Sequence, residues 1–401
     1  MPAVNNFIVL SLNSSQTNWA WLEQKDNMLG VYLTGVVFTH MQRSVSSISS
    51  RRSDLLSVGL FIPTSGAAGI WGPSCRACAE IAAAEINHSG GINGREVVLK
   101  IVDAGDSPAM VASSASDCFV DGEIDAIVGM HTSDVREALS SAIGSKLPYV
   151  YTPLYEGGER TPGVFCIGET PAMQLLPAAN GLSERYKLKR WYLLGNDYIW
   201  PRASHAVFRD NLASTGRAVC GESYLPLGTT RFDALLEDIA TSKADAVLVS
   251  LVGSDAIQFN KQFGRSKLSE RVLRLSCAIE ENVLLAIGAD CSEGLFAVSG
   301  YFSTIKSARN DSFKERYHSR YGTPAPQLNS IGQSIYEGMH FLKALSIESE
   351  RIDWRQADQA FEYHGTRDSS YSTKDGMNST IFLAEAMGHS LKVVDRYPAR
   401  G

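Results

Sequence analysis

Three short stretches carry side chains whose types and spacing could do chemistry. "HTSD" at 131–134 sets an imidazole, a hydroxyl and a carboxylate within four residues of one another. That composition matches a Ser-His-Asp nucleophile, but triad members normally come from separated positions in the chain, so adjacency argues against it. Cys75 and Cys78 form a C-x-x-C, the spacing of a redox pair or half a zinc site. No second pair accompanies them, and one helical turn of separation places both on the buried face of the helix that Pro73 opens. The third stretch, "LLGNDYIWPRASH" at 193–205, brings Tyr198 and Trp200 to the point where an apolar strand gives way to a helix. Aromatic faces supply apolar contact there, and a phenol O–H or indole N–H adds one directed hydrogen bond. Asp197 and Arg202 are expected to pair and hold the turn.

Other reaction classes lack their signatures. There is no G-x-x-x-x-G-K-[ST] loop for phosphates, no G-x-G-x-x-G opening a helix after a strand, and no G-x-S-x-G elbow. The eight histidines are dispersed, and no paired metal-ligand spacing occurs. The reading is therefore no catalytic residue, no metal and no cofactor. A formal charge of -6 argues against direct nucleic-acid binding, which needs a basic face. No apolar run is long enough to span a bilayer.

The chain has 401 residues, 44% of them hydrophobic, enough for two or three domains with packed cores. Seven cysteines at scattered spacings do not form a disulfide framework. Residues 1–53 stand apart as a flexible leader or linker. "MLGVYLTGVVF" at 28–38 has the apolar character of a signal segment but no basic flank, and "RSVSSISSRRS" follows it.

From Asp54 strands and helices alternate: "LLSVGLFI", a helix from Pro73, "REVVLKIVD", a helix, "DAIVGM", a helix at "SDVREALSSAIGSK" with Ser133 and Asp134 as candidate caps, then "LPYVYTP". The alternation restarts near residue 163 and continues through "GLFAVSGYF". Two long helices, a third from Asp353, and the strands "STIFLAEA" and "SLKVVDRY" close the chain. Such alternation builds parallel sheets with helices on both faces, here two of them. Ligands bind outside the carboxyl ends of the strands in such sheets. The residues just after the strands are Thr64, Ser65, Trp71, Ser133, Tyr151, Thr152, Pro153, Tyr198, Trp200, Val252, Gly253, Ser254, Glu280, Tyr301 and Phe302. This set is rich in rings and hydroxyls and poor in charge. It suits a small neutral or zwitterionic solute, with an amide group a natural match.

"YTPLYEGGE" at 151–159, "DYIWPR" at 197–202 and "SYLPLGTTRFDALLEDI" at 223–239 resemble the short-chain amide and urea branch of the type I periplasmic-binding-protein family, which includes amide-sensing regulators of amidase operons. "SGGINGREVVL" and "VGMHTSDVREA" are further landmarks, and the likeness runs from about Ser57 to Tyr397. It implies an α/β fold of two Rossmann-like, doubly wound parallel-sheet lobes joined by a three-strand hinge. The implied lobes are 54–170 with 302–350, and 171–301 with 351–401. The resemblance also implies the site. Ser133 binds the ligand's polar group, Tyr151 with Thr152 and Pro153 lines the first lobe, and Tyr198 and Trp200 close from the second. The last position is often Tyr in the family, so Trp200 reshapes the cavity. Glu280 matches the carboxylate that amino-acid-binding members use for the ligand amine, and Val252 and Gly253, taken from their place after a strand, join the expected site.

The resulting expectation is a non-enzymatic receptor for a small amide or urea-like solute. It is read first as a cytoplasmic regulator of amide or nitrile metabolism genes that acts on a partner protein and is able to form homo-oligomers. The alternative is the receptor of an ABC importer for urea, short amides or branched-chain amino acids. That receptor would sit in the periplasm or outside the cell and deliver its cargo to ABC membrane subunits.

Overall fold

Apolar runs without polar alternation make strands covered on both faces, and those strands decide the architecture. The computed structural model describes residues 54–347, 361–367 and 369–399. In the first half, β1 (Leu55–Ile62), α1 (Gly72–His88), β2 (Glu96–Asp103), α2 (Pro108–Val120), β3 (Ala126–Gly129), α3 (Ser133–Ile143), β4 (Tyr149–Tyr151) and β5 (Val164–Cys166) follow one another. They form a parallel sheet in the order β2-β1-β3-β4-β5. Pro73 and Pro108 start α1 and α2, where a missing N–H costs nothing and a fixed φ helps.

The second half repeats the plan with α4 (Pro171–Tyr186), β6 (Arg190–Asn196), α5 (Ile199–Ser214), β7 (Ala218–Leu225), α6 (Asp233–Ser242), β8 (Ala246–Ser250), α7 (Gly253–Gly264), β9 (Leu273–Ser276), α8 (Glu281–Ile287) and β10 (Leu295–Ser299). Then come α9 (Ala308–Tyr321), α10 (Ser330–Ile347), β11 (Glu362–His364), β12 (Ser369–Ser372), β13 (Gly376–Ser379), β14 (Ile381–Met387) and β15 (Ser390–Tyr397). The second sheet runs β15-β14-β10-β9-β8-β6-β7, parallel from β10 to β7, with β14 and β15 added antiparallel. Every residue of β8 is buried, and so is β6 after Arg190, as strands between two helical layers must be.

The chain passes between the sheets after β5, after β10, and again between α10 and β14. Helix α10 returns to the first half, where Phe341 packs at a tilt against Phe165 and Gly332 lies against Ser74 of α1. The sequence reading placed all of 351–401 in the second lobe. Residues 361–379 depart from that: β11, β12 and β13 form a separate antiparallel sheet whose Phe361, Tyr363 and Tyr371 pack on Phe341 of α10. The helix expected from Asp353 and the leader 1–53 lie outside the described residues.

Register aligns the strand ends that build the site. Gly129 pairs with Tyr151, so Met130–Ser133 and Thr152–Leu154 leave the first sheet side by side. In the second sheet Gly195 pairs with Ser250, which brings Tyr198 and Trp200 beside Val252.

Candidate functional site

The two sheets point their carboxyl ends at each other, and the halves touch. Trp71 Nε1 donates to Glu280 Oε2 at 2.8 Å, Asn282 Nδ2 donates to the Ile70 carbonyl at 3.2 Å, and the Ser254 amide donates to the Ala67 carbonyl at 2.9 Å. Gly253 makes the last approach possible. Its φ is +50°, and a Cβ there would stand 1.9 Å from the Ala67 oxygen. Both the left-handed backbone and the contact exclude a side chain.

Between the halves lies a cavity of about 40 Å³, lined by Ser133, Tyr151 and Pro153 from the first half and Tyr198, Trp200 and Val252 from the second. Six of the nine residues expected from the sequence therefore meet around one space. Its wall also includes Trp71, Met130, His131, Leu154, Ala278 and Ile331. Trp71 was marked by its place after β1. Ile331 carried no local signal, because it arrives from α10, some 180 residues beyond Tyr151. Wider depressions of about 850 and 980 Å³ flank the β11–β13 sheet, and neither is lined by any of the nine.

The other three expected residues do not line the cavity. Thr152 is fully buried on the opposite face of its strand from Tyr151, 3.2 Å from Ser334 Oγ of α10. Gly253 serves the contact between the halves. Glu280 is buried behind Trp71, and burial pushes its carboxyl up to about 8, against the pull of the Trp71 hydrogen bond.

Hydrogen bonds define what the wall offers. Ser133 is not a cap: Thr132 occupies the N-cap of α3, which has no side-chain cap, and Ser133 Oγ donates instead to Glu156 Oε2 at 2.7 Å. The Tyr151 hydroxyl donates to the His131 carbonyl at 2.7 Å. His131 Nδ1 lies 3.1 Å from the Thr132 carbonyl, which can only accept, so that nitrogen carries the proton and Nε2 accepts from Tyr149, 2.9 Å away. Burial holds this imidazole down near pKa 4. With both nitrogens engaged and the Ser133 proton directed elsewhere, the 131–134 stretch is no nucleophile.

The Tyr198 and Trp200 rings lie side by side, tilted 36° with centroids 6.2 Å apart. Burial raises the Tyr198 phenol well above its usual range, with Tyr151 across the cavity adding to the effect. Neither the Tyr198 hydroxyl nor the Trp200 indole N–H meets an acceptor among the described residues. Asp197 and Arg202 pair at 2.7 Å on the surface beside them. Cys75 and Cys78 are buried on α1 with thiols raised by burial, and the described residues contain no cluster able to hold a metal.

Comparison with known proteins agrees with this architecture. A family model described as "Periplasmic binding protein" matches residues 56–360. The Leu/Ile/Val-binding protein BraC3 of Rhizobium johnstonii is 26% identical over 196 residues, 48% of this chain and 53% of that protein. Leu/Ile/Val-binding protein homolog 3 of Brucella melitensis is 31% identical over 106 residues, 26% of this chain and 28% of that protein. The matches thus span about half, or less, of the length of these curated relatives. Among solved structures, an R. palustris ABC-transporter solute-binding protein in complex with 4-hydroxybenzoate has a TM-score of 0.76 at 18% identity, covering 87% of this chain and 98% of that one. The branched-chain amino acid transporter substrate-binding protein LivJ of Streptococcus pneumoniae, in complex with isoleucine, has a TM-score of 0.75 at 18% identity, covering 85% of this chain and 99% of that one. At such identities the likeness is one of fold.

The family is one of binding proteins, and this chain is not an enzyme. The cytoplasmic location expected from the sequence is corrected by the same findings, because the matching model and the similar structures are periplasmic and solute-binding proteins, which points to the periplasm or the cell exterior. Two parallel-sheet halves that line one small cavity between them, together with a family match over 56–360, make this chain a member of the type I periplasmic binding protein family.

Proposed function

We propose that the protein is the solute receptor of an ABC importer and that its halves swing about their three connecting passages to close on a short amide or urea-like molecule. The observation that carries this reading is the cavity itself: about 40 Å³, lined by Trp71, Tyr151, Tyr198 and Trp200 among others, with no unpaired charge among its lining residues. By the space one water needs, this admits roughly three waters, or a solute of a few heavy atoms. The importer role is supported by the similar solved structures, which are named as transporter solute- or substrate-binding proteins, and by a curated relative named as a Leu/Ile/Val-binding protein. It takes the place of a regulator acting through a partner protein, which has only the likeness of short motifs behind it. ABC membrane subunits are the partners this role requires.

Closure supplies the affinity. A solute this small gains at most ~1.5 kcal/mol per heavy atom, so five atoms give about 7.5 kcal/mol and a Kd near micromolar. Excluding water strengthens each hydrogen bond inside, and only differential binding to the closed state shifts the equilibrium.

One observation favours a second reading. Glu280 is a buried carboxylate one residue behind the wall, suited to a ligand ammonium if Trp71 turns aside. A branched-chain amino acid would then be the ligand, as the curated relatives' names suggest, and the halves would part further to admit it. A thermal-shift and calorimetry screen with propionamide, urea, leucine and 4-hydroxybenzoate separates the readings, since a true ligand raises Tm by mass action. The first reading expects propionamide or urea to raise Tm by several degrees. A rise with leucine alone supports the second, and no rise with any of the four contradicts both.

A further inference from the structure

Glu156 lies behind the cavity wall, and among the described residues its hydrogen bond to the wall goes to Ser133. Resting on the solute-receptor reading, we infer that Glu156 sets the hydrogen-bonding sense of Ser133, so that the cavity selects a head group bearing N–H donors, a primary amide or urea, over a carboxylate.

A hydroxyl has one proton to give, and an ionised carboxylate only accepts. The Ser133 proton is given to Glu156 Oε2 at 2.7 Å. Glu156 is fixed in turn: its Oε1 stands 2.7 Å from Arg136 Nη1, and Arg136 Nε lies 3.1 Å from Glu159 Oε2. These are ion-pair approaches whose angles fall short of hydrogen bonding. All three side chains are nearly buried, at 4%, 10% and 9% exposure, so the cluster does not reorient cheaply. The Tyr151 proton is also spent, on the His131 carbonyl. Two oxygens of the first half therefore offer the cavity lone pairs only.

Donors remain elsewhere. Among the described residues the Tyr198 O–H and Trp200 N–H are unclaimed in the second half, and α3 begins without an N-cap side chain, so that its Ser133 and Asp134 amides have no intrahelical acceptor while the Val135 amide donates to Asp134 Oδ1 at 3.0 Å. A primary amide satisfies both sets, its carbonyl accepting and its NH₂ donating to Ser133 and Tyr151. A carboxylate of the same shape has no hydrogen to offer and sets its charge against two lone pairs. Glu156 is thus a positioning residue that determines specificity.

The test compares propionamide with propionate by calorimetry on the full chain. The native protein should prefer the amide by about ten- to hundred-fold, the range for a buried polar group left mispaired. In Glu156→Gln the carboxamide oxygen should face Arg136 and its NH₂ should face Ser133, turning the hydroxyl proton into the cavity and lowering the preference about tenfold or more. Glu156→Asp keeps the carboxylate and should retain the preference. Ser133→Ala should reduce it to what Tyr151 alone supplies, and adding Glu156→Gln to Ser133→Ala should change nothing further, which separates positioning from general damage. An equal amide-to-acid ratio in the native protein and Glu156→Gln overturns the inference. So does tighter binding of propionate by the native protein, which leaves the receptor reading standing. Failure of the native protein to bind either compound overturns the inference together with that reading.

Discussion

Tyr198 and Trp200 were visible in the sequence because a strand that is buried throughout must end before its helix, and residues at that junction face the crevice. Their facing partners were legible only in part. Tyr151, Thr152 and Pro153 are consecutive, and extended chain sends alternate side chains to opposite faces, so one of the three had to point away. Position alone does not say which face meets the crevice, and the structure turns Thr152 to α10. The bond from Ser133 to Glu156 was not legible, since it joins a helix start to a loop 23 residues on. At this scale Tyr198→Ala should weaken solute binding by about 1.5–3 kcal/mol, the cost of losing a large buried ring, as measured by calorimetry. An unchanged affinity would remove Tyr198 from the site. Glu280 makes a pH prediction. Its folded pKa, up to about 8 through burial, lies above the ordinary carboxyl value, so the folded state holds the proton longer than the unfolded one. Stability is then greatest below about pH 4.5 as far as this group is concerned, and falls as pH rises through about 8. Neighbouring Glu281 is raised by burial and acts with the same sign. Melting curves between pH 5 and 9 should show Glu280→Gln gaining on the native protein as pH rises; parallel curves would refute the burial account.

Elements were read where their periodicity is strong. The buried strands of both sheets and the helices between them follow from apolar runs set off by Pro and Gly. β11–β13 escaped because "SSYS" and "GMNS" are short, half-exposed and rich in Ser and Gly, with no apolar alternation to mark them. Helices α4 and α6 end on Lys187 and Lys243 at φ +58° and +55°, without the glycine that usually marks a helix end. The strands of the chain terminus were recognised, but their antiparallel sense was not, because pairing direction depends on the connection and not on the strand's own residues. The start of α7 carries the prediction for this scale. Gly253→Ala puts a methyl group against the Ala67 carbonyl of the opposite half and strains a left-handed residue by roughly 1–2 kcal/mol. Closure should suffer more than folding: ligand affinity is expected to drop at least tenfold while the ligand-free Tm falls by only a few degrees. A large loss of Tm with affinity retained would assign Gly253 to folding alone.

For the whole molecule, the exchange of α10 into the first half and of β14–β15 into the second came from family resemblance, because strand counting gives two sheets without saying which later segments return to which. The three passages between the halves are tied by one buried pair. Arg367, before β12, lies 3.3 Å from Glu169, which follows β5, and its guanidinium also donates to the Ile167 carbonyl at 3.4 Å. Gly300, after β10, leaves room for Glu169: a Cβ would stand 2.0 Å from the carboxylate. Arg367→Met should strand a buried carboxylate and destabilise the protein by about 3–5 kcal/mol in denaturant titration. A loss under 1 kcal/mol would mean that the pair is solvated during the opening of the halves.

The central claim is that these halves shut on a small solute held between Ser133 and Tyr151 on one side and Tyr198 and Trp200 on the other. A crystal structure grown with propionamide measures it directly. The account predicts the amide in that cavity, its NH₂ toward Ser133 and its carbonyl toward donors of the opposing wall, with Trp71 still bonded to Glu280. A ligand bound elsewhere, or halves closed on a cavity that stays empty at saturating amide, would contradict it.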